Sequence, residues 1–241
     1  MQNNKNVSRW LLAVSRQKPI AKSQKPKKQI RLAAIIFAAI LISDQILKFW
    51  VKTHMQIGED IPLIGSWCRL HFIENIGFAF GMSIGDHVGK IFLTLLRLVA
   101  SVAIVWLIFY RTRKGTRTTF VVSLALIVAG AVGNIIDSCF YGLIFNESYY
   151  SVATLFPPEG GYAPFLCGKV VDMFYFPLFS FHWPQWMPFI GGKYFEFFNA
   201  IFNIADSAIT IGIAILIVYY LMQEHKKKKV PQTEESSKEM E

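Results

Sequence analysis

Two aspartates in strongly apolar surroundings are the residues of this sequence best suited to chemistry. Asp206 lies at the start of a segment that is almost wholly apolar over residues 208–222, and Asp172 lies inside the apolar run 170–173. A carboxylate at bilayer depth costs about 2.5–3.5 kcal/mol on insertion scales, so such a residue indicates a functional site with a partner. Two neighbouring carboxylates cannot both ionise easily. One can therefore take a proton from water while the other polarises a carbonyl, which is the chemistry of metal-free peptide hydrolysis.

Other interpretations of the two aspartates remain open at this point. Asp206 can be the third residue of a helix capped by Asn203, where its charge favours the helix dipole. Asp172 can be an ordinary loop residue. Carboxylates in membranes also mark proton paths, so a non-enzymatic proton-coupled transporter is the alternative function. A transporter needs carboxylates on a path that reaches both faces, whereas the inner halves of the apolar segments carry none.

Other reaction types have little support in the sequence. The five histidines are scattered with no HExxH pattern, and neither a GxSxG elbow nor a P-loop is present. The cysteines Cys68, Cys139 and Cys167 are odd in number and form no CxxC, so they indicate neither a disulfide framework nor a zinc site. We therefore expect no metal and no cofactor.

The elements that must position the aspartates are apolar segments long enough to cross a bilayer. The 241-residue chain is 53% hydrophobic and 17% charged, against about 25% charged residues in soluble domains. A spanning helix takes about 20 apolar residues. The predicted spans are residues 32–51, 91–110, 118–141 and 203–222. They predict an all-α membrane domain over residues 32–223, with a basic tail over residues 1–31 and a polar tail over residues 224–241.

The placement of positive charge predicts the orientation. The net charge is +9, and basic residues cluster before residue 32, at 111–117 and at 226–229. These clusters flank the spans, as expected for cytoplasmic segments, and they do not indicate nucleic-acid binding. Both termini are then cytoplasmic, and loops 52–88 and 142–201 face outward. The first outer loop contains a predicted β-hairpin over residues 60–73, and the second is rich in aromatic residues of the kind found at membrane interfaces.

This topology brings polar residues from five separate segments to one membrane level near the outer face. They are Asp44, Asn75, Asn134, Asp137, Asp172, Asn203 and Asp206. Simpler interpretations exist for some of them. Asp44 can pair locally with Lys48 at i,i+4, Asn134 and Asp137 can cap a helix end in water, and Asn75 can belong to an ordinary glycine turn.

Five motifs in order along the chain resemble the lipoprotein signal peptidase (signal peptidase II) family. They are Ser43-Asp44-Gln45, the segment Asn75-Ile-Gly-Phe-Ala-Phe80, the segment Gly130-Ala-Val-Gly-Asn-Ile-Ile-Asp137, Val170-Val171-Asp172 and Phe202-Asn-Ile-Ala-Asp-Ser207. The resemblance implies four transmembrane helices with a small outer β-cradle. It implies that Asp172 and Asp206 are a catalytic dyad, and that Asp44, Asn75, Asn134, Asp137 and Asn203 support the site.

The resemblance also implies a function and a location. It implies an aspartyl endopeptidase of the bacterial cytoplasmic (inner) membrane, with its active site at the outer face. The enzyme cleaves prolipoproteins just before the diacylglyceryl-modified cysteine. The expected partners are these substrates and membrane lipid, and the expected state is a monomer.

The chain departs from the family pattern in two places. Ser138 stands where the family commonly has arginine, and Arg97, near the outer end of the second span, is a candidate replacement. The simpler interpretation of Arg97 is a side chain that reaches the lipid headgroups. The connections between Asp137, Asp172 and Asp206 are also long for the family. Residues 143–169 and 177–198 form either a lid over the substrate or a plain insertion.

Overall fold

Four long helices carry the chain through the apolar segments. The computed structural model describes residues 26–75 and 86–229. Its long helices are α1 (Pro26–His54), α2 (Asp86–Arg113), α3 (Thr118–Ile136) and α4 (Ile204–Lys229). By length and composition, four helical segments can cross a membrane: Pro26–His54, Val88–Arg113, Thr118–Ile144 and Ile204–His225. The four predicted spans are therefore confirmed.

The helices extend beyond the predicted spans. Helix α1 begins at Pro26, inside the segment predicted as a tail, and proline is favoured at a first helical position because its missing N–H needs no partner there. Helix α4 continues to Lys229, beyond the predicted boundary at residue 223. The rest of the predicted tails, residues 1–25 and 230–241, and most of the glycine-containing motif of the first outer loop, residues 76–80, lie outside the described residues.

Helix α3 is the central helix of the bundle. Most of its apolar window is buried, whereas α1, α2 and α4 expose large apolar side chains such as Ile46, Phe92 and Leu221, as lipid-facing helices do. Residues 129–133 of α3 form a small-residue patch, a pattern that allows another helix to approach closely. A Cβ at Gly130 would lie 2.2 Å from the carbonyl oxygen of Ala205, so only glycine fits where α4 crosses.

A four-stranded antiparallel sheet lies at the end of the bundle where α1 ends and α4 begins. Its strands are β1 (Asp60–Ile64), β2 (Cys68–Asn75), β3 (Val170–Tyr175) and β6 (Ile201–Phe202), in the spatial order β1-β2-β3-β6. The β1–β2 pair confirms the predicted hairpin. Strand β3 is buried over its first four residues, and its residues Val171 and Met173 pack with Val51 of α1, with Met55 just after that helix and with Phe72 of β2 in one hydrophobic core.

A π-helical turn ends α3 and shapes the path to β3. The turn spans Asp137–Tyr141 and is followed by a short last turn, Gly142–Ile144. The extra residue of a π-turn leaves carbonyls free for other partners, and such turns occur often at functional sites. Here the N–H of Gly168 donates to the carbonyl of Ser138 at 2.8 Å, and a Cβ at Gly168 would lie 2.2 Å from the carbonyl oxygen of Asp137. The loop before β3 is thereby seated on the end of α3.

The remaining part of the second outer loop forms a separate hairpin. Strands β4 (Phe179–His182) and β5 (Tyr194–Phe197) pair only with each other among the described residues and make a two-stranded sheet. The hairpin lies between β3 and β6 in the chain. Part of the segment that was expected to be a lid or an insertion is therefore regular β structure.

Candidate active site

Asp172 lies in β3, an interior strand of the sheet, on the face opposite Val171 and Met173. It is 1% exposed and is paired in register with Ile73 of β2. Two amides donate to its carboxylate: the Nδ2 of Asn75 reaches Oδ2 at 3.2 Å, and the Nδ2 of Asn203 reaches Oδ1 at 2.6 Å. The interpretation of Asp172 as an exposed loop residue is therefore wrong.

Asp206 lies in the first turn of α4, and Asn203 caps that helix. The backbone N–H of Asp206 donates to the Oδ1 of Asn203 at 2.8 Å, which is the N-cap geometry foreseen from the spacing. The carboxylate of Asp206 is half-buried and accepts a hydrogen bond from the Nδ2 of Asn134 at 2.8 Å. The N-cap interpretation is correct, and it does not compete with a role in chemistry because the carboxylate itself points to Asn134.

One side chain links the two aspartates. Asn203 is fully buried; its amide nitrogen donates to Asp172 and its amide oxygen holds the N–H of Asp206. The same nitrogen donates to the Oδ1 of Asn134 at 3.3 Å, and the Nδ2 of Asn134 donates to Asp206. The two carboxylates therefore share a pair of asparagines that sets their separation and their orientation.

Burial favours the protonated form of the Asp172 carboxyl because it raises its pKa. Burial, with a smaller contribution from the nearby charge of Asp206, raises the pKa of Asp172 to about 7. The hydrogen bonds from Asn75 and Asn203 act in the opposite direction because they stabilise the ionised form. The net result is a carboxyl that carries its proton through the acidic range and up to near-neutral pH.

A buried lysine stabilises the supporting carboxylates. The Nζ of Lys48 lies 2.9 Å from Asp44, 2.7 Å from Asp137 and 2.8 Å from the Oδ1 of Asn134. All four side chains are almost fully buried. The i,i+4 pair of Asp44 and Lys48 is thus real, but it is one arm of a three-way cluster between α1 and the end of α3.

The two supporting carboxylates also hold backbone groups of the elements that carry the dyad. The Oδ1 of Asp44 accepts the N–H of Ala205 at 2.9 Å, so it satisfies an otherwise unpaired donor at the start of α4. The Oδ2 of Asp137 accepts the N–H of Val171 at 3.3 Å, next to Asp172. Each supporting carboxylate thereby holds the backbone N–H of the residue that precedes Asp206 or Asp172. The interpretation of Asp137 as a cap in water is wrong.

Sequence reasoning missed Lys48 and Gln45 as site residues. The Nε2 of Gln45 donates to the Oδ1 of Asp137 at 2.9 Å and to the carbonyl of Gly133 at 3.2 Å. The spacing held a usable signal, because Lys48 follows Asp44 by one helical turn and two carboxylates at one level need a cation. Which second carboxylate the lysine reaches depends on the packing of α1 against α3.

A second buried charge cluster holds Asn75 in place. Glu74, the residue before Asn75 on β2, forms an ion pair with Lys52 of α1 and lies 3.3 Å from Lys169. Lys52 also donates to Ser148 at 2.7 Å, and Lys169 pairs with Glu147 at 2.7 Å. The end of β2 is therefore tied to α1 and to the second outer loop.

At the position where the family commonly has arginine, this chain has a buried serine. Ser138 is 3% exposed, and its hydroxyl donates to the carbonyl of Asn134 in its own helix at 2.9 Å. Arg97 is half-buried on α2 and interacts electrostatically with Asp206, Asp172 and Asp137. In the described part of the chain its guanidinium has no ion pair and no hydrogen bond. Arg97 is therefore a basic side chain of α2 whose charge interacts with both aspartates.

The described residues hold no group of three or more histidines, cysteines and carboxylates that could bind a metal ion. The three cysteines are free and buried. The chemistry available to the site is proton transfer by two carboxyls, which asparagine amides and a lysine orient.

Comparison with known proteins identifies the family. The model of the family "Signal peptidase (SPase) II" matches residues 36–222. A protein named lipoprotein signal peptidase from Porphyromonas gingivalis is 46% identical over 193 residues, which are 80% of this chain and 84% of the relative. One of the same name from Amoebophilus asiaticus is 34% identical over 195 residues, 80% of this chain and 78% of the relative.

Solved structures agree with the fold. A bacterial membrane enzyme structure superposes with a TM-score of 0.54 at 25% sequence identity, covering 82% of this chain and 92% of the other. A second one, also at a TM-score of 0.54, covers 80% and 94%. Together with the four apolar helices, these matches show a multi-pass membrane protein, and they leave the transporter hypothesis without support. The chain belongs to the signal peptidase II family, which is a family of aspartic peptidases.

Proposed function

We propose that this chain removes signal peptides from prolipoproteins, with Asp172 and Asp206 as its catalytic dyad. The observation that supports the proposal is the asparagine bridge, in which Asn203 and Asn134 tie the buried carboxyl of Asp172 and the half-buried carboxyl of Asp206 together at the start of α4. The names of the relatives supply the substrate class. The dyad supplies a way to cleave a peptide bond without a covalent intermediate.

The proposed reaction divides the two roles by environment. Asp206 takes a proton from water as the water oxygen attacks the scissile carbonyl carbon. Asp172, whose pKa burial raises to about 7, gives its proton to the carbonyl oxygen and yields a tetrahedral diol. Collapse of the diol breaks the C–N bond; the proton held by Asp206 passes to the leaving amine, and Asp172 recovers its proton from the diol.

The supporting residues act by position in this scheme. Asn203 and Asn134 orient the two carboxyls, Asn75 fixes the second oxygen of Asp172, and Asp44 and Asp137 hold the backbone beside each dyad member. Side chains that are themselves locked by packing and hydrogen bonds keep a site within the small tolerance that catalysis needs. Asn203 and Asp137 are fully buried, which supports this role.

The substrate is proposed to meet the dyad at the outer face of the bacterial cytoplasmic (inner) membrane, where both termini of the enzyme face the cytoplasm. The basic clusters support this orientation. A diacylglyceryl group on the substrate cysteine would anchor the adjacent peptide bond in the lipid and raise its effective concentration beside the dyad. Membrane lipid is thus a proposed partner, and a single chain carries the complete set of site residues.

Arg97 is the proposed contact for the polar part of this substrate. Its guanidinium faces the dyad without an ion pair in the described residues, and a half-buried cation without a partner is ready to bind a carbonyl or an ester oxygen. Arg97→Gln should raise KM more than it lowers kcat. Arg97→Lys should restore part of the loss. An unchanged KM in Arg97→Gln would remove the contact from the scheme.

The test of the dyad compares Asp172→Asn and Asp206→Asn with wild type on a diacylglyceryl-modified prolipoprotein. The amide keeps the shape of the carboxyl but cannot exchange a proton, so each variant should lose turnover while it stays folded in the membrane. Because the two groups act as a unit, the double variant should be little worse than either single one. Glu159→Gln, on an exposed loop carboxyl, is the matched control and should keep full activity. Substantial turnover by either folded dyad variant would rule out the two-aspartate mechanism.

A further inference from the structure

The β4–β5 hairpin has one aromatic face and one polar face. Side chains alternate across a strand, and the register pairs Phe179 with Phe197 and Phe181 with Phe195 on one face. The opposite face carries Ser180, His182, Tyr194 and Glu196. Such strict alternation is typical of a sheet with one side against an apolar medium and one side in water.

The rings of the aromatic face contact one another but remain partly exposed. The ring centroids of Phe179 and Phe197 are 4.8 Å apart and those of Phe181 and Phe195 are 5.1 Å apart, and Trp183 extends the row at 4.9 Å from Phe181. Yet Phe179 is 53% exposed and Phe197 is 44% exposed. A two-stranded hairpin is marginally stable in water and needs a packing surface on its apolar side. Within the described part of the chain nothing covers this face, so the hairpin needs a packing surface from elsewhere.

The tip of the hairpin has the same character. Trp186 is 80% exposed and Phe189 is 95% exposed. Phe189 also has a φ of 67°, a left-handed conformation that costs a bulky residue free energy and that is kept where the surroundings require it. Between the two strands the only charged residue is Lys193. An exposed apolar surface of this kind marks an interaction site.

The base of the hairpin is fixed where the chain enters the membrane. Strand β6 ends at Phe202, and α4, a membrane span, begins two residues later at Ile204. Aromatic contacts join the base to this point: the rings of Phe176 and Phe198 lie 5.7 Å and 6.1 Å from that of Phe202. The hairpin therefore starts at the level of the outer membrane boundary and is continuous with it.

We propose that the aromatic face and the tip of the β4–β5 hairpin lie in the interfacial layer of the outer leaflet, as a membrane attachment beside the active site. Trp, Tyr and Phe side chains are suited to this layer because an apolar ring can enter the lipid while a polar edge stays in water. The polar face, where the hydroxyl of Tyr175 donates to Glu196, then faces water. The proposal rests on the proposed location of the site at the outer face, but it does not depend on the chemistry of the dyad.

The occupant is inferred to be lipid because of continuity. The hairpin is attached within two residues of a span whose other side chains already face lipid, and its tip carries no carboxylate that would repel anionic headgroups. The apolar signal segment of a substrate and a second copy of this chain are the rival occupants. Each of them predicts a different result in the experiment below.

The experiment labels single introduced cysteines with an environment-sensitive fluorophore in the full chain, reconstituted in vesicles of phosphatidylethanolamine and phosphatidylglycerol. Phe181→Cys reports the aromatic face, Phe189→Cys reports the tip and Ser180→Cys is the matched control on the polar face of the same strand. The native cysteines are buried, so the unmodified chain serves as the labelling blank. Quenchers are nitroxide-labelled lipid and aqueous iodide.

The expected result is strong quenching of the labels at 181 and 189 by the lipid quencher, with iodide quenching reduced at least threefold relative to the label at 180. Equal iodide quenching at 180 and 181 would overturn the proposal. Protection that appears only after a lipidated substrate is added would assign the face to the substrate instead. Protection that depends on protein concentration would assign it to a second copy.

Two further measurements separate this proposal from the proposed function. The labelling is repeated in Asp206→Asn, which should show the same quenching, so a failure of the hairpin proposal is seen independently of any failure of the dyad. The tip is then tested with Trp186→Ser combined with Phe189→Ser, in a chain labelled at position 181. These changes leave the strand pairs in place and should lower the lipid quenching severalfold; unchanged quenching would show that the tip makes no contact with lipid.

Discussion

Replacing Asp172 with asparagine should remove activity and, at neutral to alkaline pH, make the protein more stable. The carboxyl is 1% exposed, and its pKa rises from 3.8 to about 7 on folding, mainly because burial disfavours the charge. A difference of this size corresponds to about 4 kcal/mol of destabilisation once the group is ionised in the folded state. The amide cannot ionise, so the variant avoids this cost.

The direction with pH follows from proton binding. Between pH 3.8 and about 7 the folded state holds the Asp172 proton and the unfolded state does not, so the stability of wild type falls as pH rises through this window. Below it both states are protonated and the penalty is absent. Above it the penalty is complete. The free energy of unfolding of Asp172→Asn relative to wild type should therefore rise by about 4 kcal/mol between pH about 4 and pH about 8.

The hydrogen bonds at the site set a constant offset. Asn75 and Asn203 both donate to the carboxyl, whose two oxygens keep acceptor capacity in either protonation state, whereas an asparagine side chain has one acceptor oxygen, so one buried donor loses its partner. That loss costs about 1–3 kcal/mol at every pH. Asp172→Asn should then be less stable than wild type near pH 4 and more stable near pH 8, with a crossing between them.

The assay is equilibrium unfolding in mixed micelles at a series of pH values, followed by tryptophan fluorescence. Glu159→Gln, on an exposed loop carboxyl, is the control and should give a difference from wild type that is flat with pH. A flat difference for Asp172→Asn as well would refute the argument, since the buried carboxyl would then have no raised pKa. The same pKa predicts that kcat of wild type falls as pH rises through about 7, because the proton donor is lost.

Further predictions concern the supporting structure, the orientation and the chemistry. Lys48→Met should lower the free energy of unfolding by about 3–5 kcal/mol, because it leaves buried carboxylates without a cation. Lys27→Met, at an exposed position of the same helix, is the control and should have little effect. Equal stability of the two variants would place Lys48 outside the cluster. Gly133→Ala should impair folding and turnover together, because its Cβ would lie 2.8 Å from the Oδ2 of Asp44, and wild-type behaviour would show that this contact is not tight. A cysteine introduced at Glu159 should react with a membrane-impermeant reagent in intact cells, and labelling only after permeabilisation would overturn the orientation. Metal chelators should leave turnover unchanged, and loss of activity that a metal ion restores would exclude the two-carboxylate scheme.

Much of the architecture could be predicted because it depends on local composition. A segment of about 20 apolar residues is a membrane span wherever it occurs, so the four helices were predictable within a few residues at most ends. The turn residues between 60 and 73 likewise predicted the β1–β2 hairpin. The small-residue patch of α3 indicated a close helix contact, although the residue it meets, Ala205, is known only from the packing.

The β4–β5 hairpin could not be predicted from local sequence alone. The alternation of aromatic and polar residues is present in both strands, but a dense aromatic segment can equally be an irregular interfacial loop. The strand assignment depends on the pairing of Phe179 with Phe197, across the turn between the strands, and on the register of that pairing. A shift of one residue would exchange the two faces, so the aromatic face follows from tertiary structure.

By itself the sequence determined that the chain spans a membrane four times, and its motifs determined the family and the candidate dyad. The tertiary structure decided how those residues are tied together. Lys48 reaches Asp137 and Asn203 reaches Asp172 across sequence separations that no local pattern encodes. The pKa of Asp172 was likewise set by the fold, because it depends on burial and on neighbours that come from β2 and α4. Composition determines where a chain can lie, whereas the cost of burying a charge depends on which distant groups the fold brings to it.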